Sequence, residues 1–513
     1  MRRARRRPPL FSLTGTLIAA LFVVVPLAFV VVQALSSGAS EARHLLLRAT
    51  VAELLVNTIG LSATCTVLCA GLGLSAAWLV QRTDVPLRRM WAVLLVLPLG
   101  IPDFVVAFSW VSIDHSLHGF VPAAAVMTLS LYPLVYLPVA TALANSDGSL
   151  EEAARSLGLG PWATFRRVTL RQVRAALVGG CMLVTLALLA EYGAFEILQF
   201  RTFTVEIFAE FKLGFDAVGA CVLSLVLVLL SVGVLSGEPL LAGRRPQSRS
   251  GKGARRPAAR HRLGSLTAPA LLAVSSLALA ALGIPVATLI FWTLHGGAST
   301  LPESSLLDAL GSTAAFSAAA AVLASLLAAA VATLALRHRS RASALLERVT
   351  YLPLALPGLV IALGLVAFAV RYTPALYQSP VLLVVAYAIL FLPLAVVSVR
   401  ASLAGAPARL EDVARSLGLG PTRAYLRVTL PAIAPGLAAA FAFVFISTAT
   451  ELTATLILRP TAVETLATRF WEYTSAFAYA QAAPYALVMV AISAVPAYLL
   501  SRRGASVAER EGA

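Results

Sequence analysis

Charge is the scarcest commodity in this chain. Asp, Glu, Lys and Arg make up 12% of its 513 residues, apolar residues make up 59%, and mean hydropathy is +0.86. A soluble domain needs a polar exterior, so this composition excludes one. Cysteine (4) and histidine (6) are also few. Cys65, Cys69, Cys181 and Cys221 all fall in apolar runs, where a thiol packs as a small hydrophobe. The histidines (His44, His115, His118, His261, His295, His338) are scattered and form no H-E-x-x-H array, which argues against an intramembrane enzyme. "DHSLH" (114–118) holds Asp114, His115 and His118, but without a further ligand it reads as a surface loop. A phosphate-binding loop is missing too. Gly-Lys occurs only in "RSGKGARR" (249–256), which lacks the G-x-x-x-x-G-K-[ST] spacing. The chain is therefore expected to carry no catalytic residue, no metal site and no ATPase of its own.

Long apolar runs are what the chain has in abundance. A helix of about 20 apolar residues crosses roughly 30 Å of hydrocarbon. Such runs recur at 15–35, 54–80, 91–112, 120–143, 174–196, 216–236, 265–294, 309–336, 349–371, 379–399, 433–457 and 481–500. None alternates with period 2, so helices are favoured over a barrel. The expectation is an all-α polytopic membrane protein with about 12 spans, numbered below in this order. "MRRARRR" before the first run and "SSGAS" after it would also suit a cleaved secretory leader. An uncleaved span is preferred because it completes two sets of six.

The net charge of +16 follows topology rather than nucleic acid. With the N-terminus inside, 33 of the 40 Lys and Arg fall in inner segments. The exceptions are Arg43, Arg48, Arg201, Lys212, Arg371, Arg459 and Arg469. That bias places both termini in the cytoplasm.

The chain repeats itself. "LPLGIPDFVVAFSWV" (97–111) aligns with "LPLALPGLVIALGLV" (352–366) at an offset of 255 residues. "EEAARSLGLGPWATFRRVTL" (151–170) aligns with "EDVARSLGLGPTRAYLRVTL" (411–430) at an offset of 260. Residues 1–239 and 265–513 thus read as two six-span halves in the same orientation, joined by a basic cytoplasmic linker at 240–264. Both copies of the second motif fall in cytoplasmic loops between spans four and five of their half. Acids at the start and glycine at the end mark a short helix that stops at Gly158 or Gly160. A solvated loop would explain the arginines but not why these positions stayed identical while neighbouring apolar runs drifted. A surface docked on a partner would.

At these residues the chain resembles the permeases of binding-protein-dependent ABC importers. Their EAA loop reads Glu-Ala-Ala, three residues, Gly, nine residues, an aliphatic, one residue, Leu-Pro. In 151–171 it falls on Glu152, Ala153, Ala154, Gly158, Val168 and Leu170, with Arg171 in place of proline. In 411–431 it falls on Asp412, Val413, Ala414, Gly418, Val428, Leu430 and Pro431, and Glu411 could supply the acid there. The resemblance implies a type I importer fold and coupling helices seated on a separate ATPase subunit, expected to be a homodimer. ATP and Mg would be used by that partner, with no cofactor on this chain. Glu151, Glu152 and Asp412 belong to the coupling loops, and Gly158 and Gly418 to the turns that end them. An extracytoplasmic binding protein would deliver cargo to the outer face of this inner-membrane permease; lipid is the remaining partner.

The fused form, with "LPLGIPDFVVAFSW" and "LAEYGAFEILQFRTFTVEIF", resembles the ferric-iron branch of that family. Thiamine, phosphonate and polyamine permeases share similar signatures. A secondary transporter with two six-span halves is the alternative of a different class. Charged residues within spans are expected along the translocation route. Glu191 and its repeat partner Glu451 are the main candidates, with a seat at the outer interface as the alternative, and Asp103 and Glu196 follow.

Overall fold

The computed structural model describes residues 10–36, 38–242, 260–295, 303–338, 340–406 and 408–493. The expected linker therefore lies largely outside the described residues, as do residues 494–500 of the last span. Among the described residues, nine helices are long and apolar enough to cross a membrane, and two bent pairs bring the number to eleven. A shorter apolar helix, Tyr479–Ser493, covers the described part of span 12. The all-α reading holds: outside the helices, an isolated bridge joins Thr83 to His261, and no strand forms among the described residues.

Spans 3 and 9 are not single helices. Each is broken and bent, by 92° between Arg88–Gly100 and Asp103–Val111 and by 111° between Arg341–Ala355 and Gly358–Tyr372. Proline causes both breaks. It disfavours helical geometry in the residue before it, so Ile101 (φ −103°, ψ 122°) and Leu356 (φ −116°, ψ 124°) are extended. Pro102 and Pro357 then start the next helix, where a missing N–H costs nothing. Spans 5 and 11 also differ from expectation. They begin earlier, at Pro161 and Pro421, pass through a π turn at Phe165–Thr169 and Tyr425–Thr429, and end at Ala190 and Ala449.

The compact units do not coincide with the sequence halves. One contains the described residues within Met1–Arg48, Glu206–Val228 and Ala298–Tyr485; the other contains those within Ala49–Val205, Leu229–Gly297 and Ala486–Ala513. The first span of each half thus packs with spans of the other half. In the first unit, span 1 (Leu10–Ser36) lies on Glu303–Arg337 and Gly358–Tyr372. In the second, Ile284–His295 of span 7 lies on Asp103–Val111. Phe29 meets Phe368 and Tyr372 edge-on at 5.2 and 5.3 Å. Gly364 lets span 9 touch the backbone of span 1: a Cβ there would overlap the Pro26 carbonyl oxygen and stand 2.6 Å from its carbon. Backbone cannot retreat like a flexible side chain. Gly364→Ala is therefore expected to cost about 1–3 kcal/mol or more, read as a lower unfolding temperature in detergent. Gly71→Ala, where an added Cβ meets nothing within 4 Å, is the control. Equal behaviour of the two variants would contradict this packing.

Candidate functional site: two coupling loops and the ends of spans 5 and 11

The helix expected to couple the first loop is Gly148–Ser156. Asp147 caps it, its Oδ1 accepting from the Ser149 N–H at 3.0 Å. Its end is a Schellman turn: Gly158 N–H donates to Arg155 O (2.9 Å) and Leu159 N–H to Ala154 O (3.1 Å). Gly158 sits at φ +84°, where a side chain is strained, so Gly158 rather than Gly160 ends the helix. The second helix, Ala408–Ser416, closes in the same way through Gly418 (φ +88°) and the Leu419 N–H to Ala414 O bond at 3.2 Å.

Of the two adjacent acids of the first loop, one is buried and the other exposed. Glu151 is 5% exposed. Its Oε1 accepts from an Arg82 guanidinium nitrogen at the end of span 2 (2.8 Å) and from the Thr169 hydroxyl in the π turn (2.8 Å). Arg82 also donates to Ser146 at 2.6 Å. Glu151 therefore ties the loop to spans 2 and 5. Glu152 and Ala153 are exposed, and Ala154 is buried. Leu150 (52%), Leu157 (83%) and Trp162 (72%) are exposed apolar side chains of the same loop.

The second loop repeats the scheme with different partners. Glu411 accepts from Arg415 (2.8 Å) and Thr429 (3.2 Å). Arg337, the repeat partner of Arg82, instead donates to the Ala406 carbonyl at 3.1 Å. Leu410, Val413 and Leu417 are exposed, and Ala414 is buried. The side chain of Asp412 lies outside the described ones. The Arg82–Glu151 clasp was missed from sequence because 69 residues separate its members and Arg82 looked like one more inner arginine.

Glu191 and Glu451 do not lie within the spanning helices, which end one residue earlier at Ala190 and two residues earlier at Ala449. Each carboxylate caps the short helix that follows. Glu191 Oε1 accepts from the Ala194 N–H (2.7 Å), and Glu451 Oε1 from the Ala454 N–H (3.0 Å). Their backbone carbonyls accept from Thr204 (2.5 Å) and Thr455 (2.7 Å). Glu451 lines a cleft with Thr313, Ser317, Tyr387, Thr448 and Thr465. A Cβ on Gly358 would stand 3.0 Å from its Oε1. Asp103, the repeat partner of Gly358, begins the helix Asp103–Val111 in the other unit and accepts a hydrogen bond from Ser130. Glu196 is exposed on the short helix Gly193–Ile197. Asp114 closes its own turn by accepting from the Ser116 N–H at 2.9 Å, and His115 and His118 are exposed around it.

The family model described as "Binding-protein-dependent transport system inner membrane component" matches residues 70–237 and 320–504. The chain is similar to the Fe(3+)-transport system permease protein FbpB 2 of Haemophilus influenzae, at 37% identity over 97% of this chain and 99% of the relative. The sulfate transport system permease protein CysW of Escherichia coli is 24% identical over 45% of this chain and 86% of its own length. The molybdenum transport system permease protein ModB of Escherichia coli is 33% identical over 24% of this chain and 60% of its own length. The first match runs nearly end to end, and the family match falls on both repeats. This chain belongs to the family of inner-membrane permease components of binding-protein-dependent transport systems.

Proposed function

We propose that this permease imports ferric iron, with ATP and Mg used by a homodimeric ATPase subunit and cargo delivered by an extracytoplasmic binding protein. One observation carries the cargo reading: the near full-length similarity to a permease named for Fe(3+) transport, 37% identical. Family membership sets aside the secondary transporter. Both termini lie in the cytoplasm on the arginine bias, and the spans face lipid. The two coupling helices, each with its exposed apolar face, match two copies of one ATPase fold. When ATP closes that dimer it pulls on each coupling helix. The pull on the first passes into spans 2 and 5 through Glu151, Arg82 and Thr169. The second passes into span 11 through Glu411 and Thr429. Glu191, Glu451, Asp103 and Glu196 stay the candidates along the route, with capping as the competing role of the first two.

Reconstitution of the chain with its ATPase and binding protein in liposomes tests the cargo. ATP-dependent uptake of ferric iron is expected, with thiamine, a phosphonate and a polyamine not accumulated. Uptake of one of those three without iron would overturn the cargo while leaving the mechanism intact.

A further inference from the structure

From sequence, the basic linker is a tether. Its carboxyl end does more than that. The His261 N–H donates to the Arg82 carbonyl at 2.8 Å, and the Asp84 N–H donates to the His261 carbonyl at 3.3 Å. The Leu263 N–H donates to Asp84 Oδ1 at 2.9 Å. The His261 ring stacks on Trp78 of span 2, with centroids 5.8 Å apart and planes 21° apart. Its Nε2 lies 3.5 Å from an Arg155 guanidinium nitrogen on the first coupling helix.

These contacts converge on one cluster. Arg155 reaches Glu151 Oε2 at 3.9 Å, and Glu151 is the carboxylate that Arg82 holds at 2.8 Å. Burial, and then the charge of Arg155, push the imidazole below its ordinary pKa, which keeps the ring neutral at cytoplasmic pH. A neutral ring protonated on Nδ1 accepts from Arg155 through Nε2. Linker, span 2 and coupling helix are thus joined at a single residue. The second loop is held differently, by Arg415 and Thr429 on Glu411 and by Arg337 on the Ala406 carbonyl. The position equivalent to His261 is Arg6, which lies outside the described residues.

We infer that His261 is a positioning residue for energy coupling: it clamps the first coupling helix to the cytoplasmic end of span 2, so that movement of the docked ATPase reaches that span without slack. The inference rests on the importer reading above. It makes the linker part of the transmission and, among the described residues, the two coupling helices unequal, the first being held by more elements than the second.

The test uses the full chain in liposomes with its ATPase and binding protein, and reads cargo accumulated per ATP hydrolysed alongside the amount of ATPase bound. His261→Ala and Trp78→Ala are each expected to lower cargo per ATP by about fivefold, the change that a small loss of positioning free energy produces. Bound ATPase should stay as in the wild type. His261→Phe keeps the stack on Trp78 and should recover part of the ratio. The ratio is measured on protein that assembles, so a loss of yield alone does not imitate the effect. A wild-type ratio in both alanine variants would overturn the clamp. So would a loss explained entirely by reduced ATPase binding. Absence of ATP-driven uptake in the wild type would remove the importer reading, and the inference with it.

Discussion

Arg82→Ala is expected to destabilise the permease by about 3–5 kcal/mol, because it leaves the Glu151 carboxylate buried beside a vacated cation. Arg82 and Glu151 are 3% and 5% exposed, so solvent cannot take over for either. The pair is not an ideal one. Arg82 Nε and Nη1 have no hydrogen-bond partner among the described residues, so part of its desolvation is never offset. Replacing both members, Arg82→Met with Glu151→Leu, should therefore recover most of the stability lost by the single change. The same double variant should still couple poorly, since the polar tie from the loop to spans 2 and 5 is gone. Arg337→Ala is the internal comparison. Arg337 donates to a backbone carbonyl rather than to a buried carboxylate, so its loss should cost only about 1–2 kcal/mol. Thermal unfolding followed by tryptophan fluorescence in detergent reads all three. Equal losses for Arg82→Ala and Arg337→Ala would mean that the Glu151 clasp carries no special weight.

Some of this architecture was legible in the residues, and the reason differs from element to element. Spans are legible because lipid demands unbroken apolar length, and that demand is local. The coupling helices are legible because Gly158 and Gly418 mark left-handed turns that other residues adopt only under strain. Pro102 and Pro357 stand in the sequence where spans 3 and 9 break, but the bends of 92° and 111° depend on how the following helix packs. The ends of spans 5 and 11 were misplaced because "LLAEYGAFEIL" stays apolar after the helix stops. Only the hydrogen bond from Ala194 to Glu191 shows that the acid starts a new helix. Span 1 packing with spans 8 and 9 was invisible, because contiguity in sequence suggests that each half packs on itself. The roles of Glu151 and Glu152 could not be separated either. Both are acids in one short helix, and only the burial of the first against Arg82 tells anchor from exposed face.

That separation sets up the central test. Glu151 holds the loop, and the exposed Glu152 is the acid proposed to meet the ATPase. Asp412 occupies the same sequence position in the second loop, beside the exposed Leu410, Val413 and Leu417. A charge brought into a docked interface with the wrong sign costs about 2–5 kcal/mol, roughly 30-fold at the low end. Because Glu152 is exposed and its loop is held by Glu151 instead, reversal there should spare folding, and reversal at both positions should remove coupling.

The measurement is ATP-dependent uptake by the double variant Glu152→Arg with Asp412→Arg, reconstituted with ATPase and binding protein. The account predicts a permease that unfolds at the wild-type temperature, fails to retain its ATPase and loses uptake by at least about 30-fold. Uptake at the wild-type rate, with the ATPase still bound, would contradict the claim that these two loops are where ATP hydrolysis takes hold of the chain.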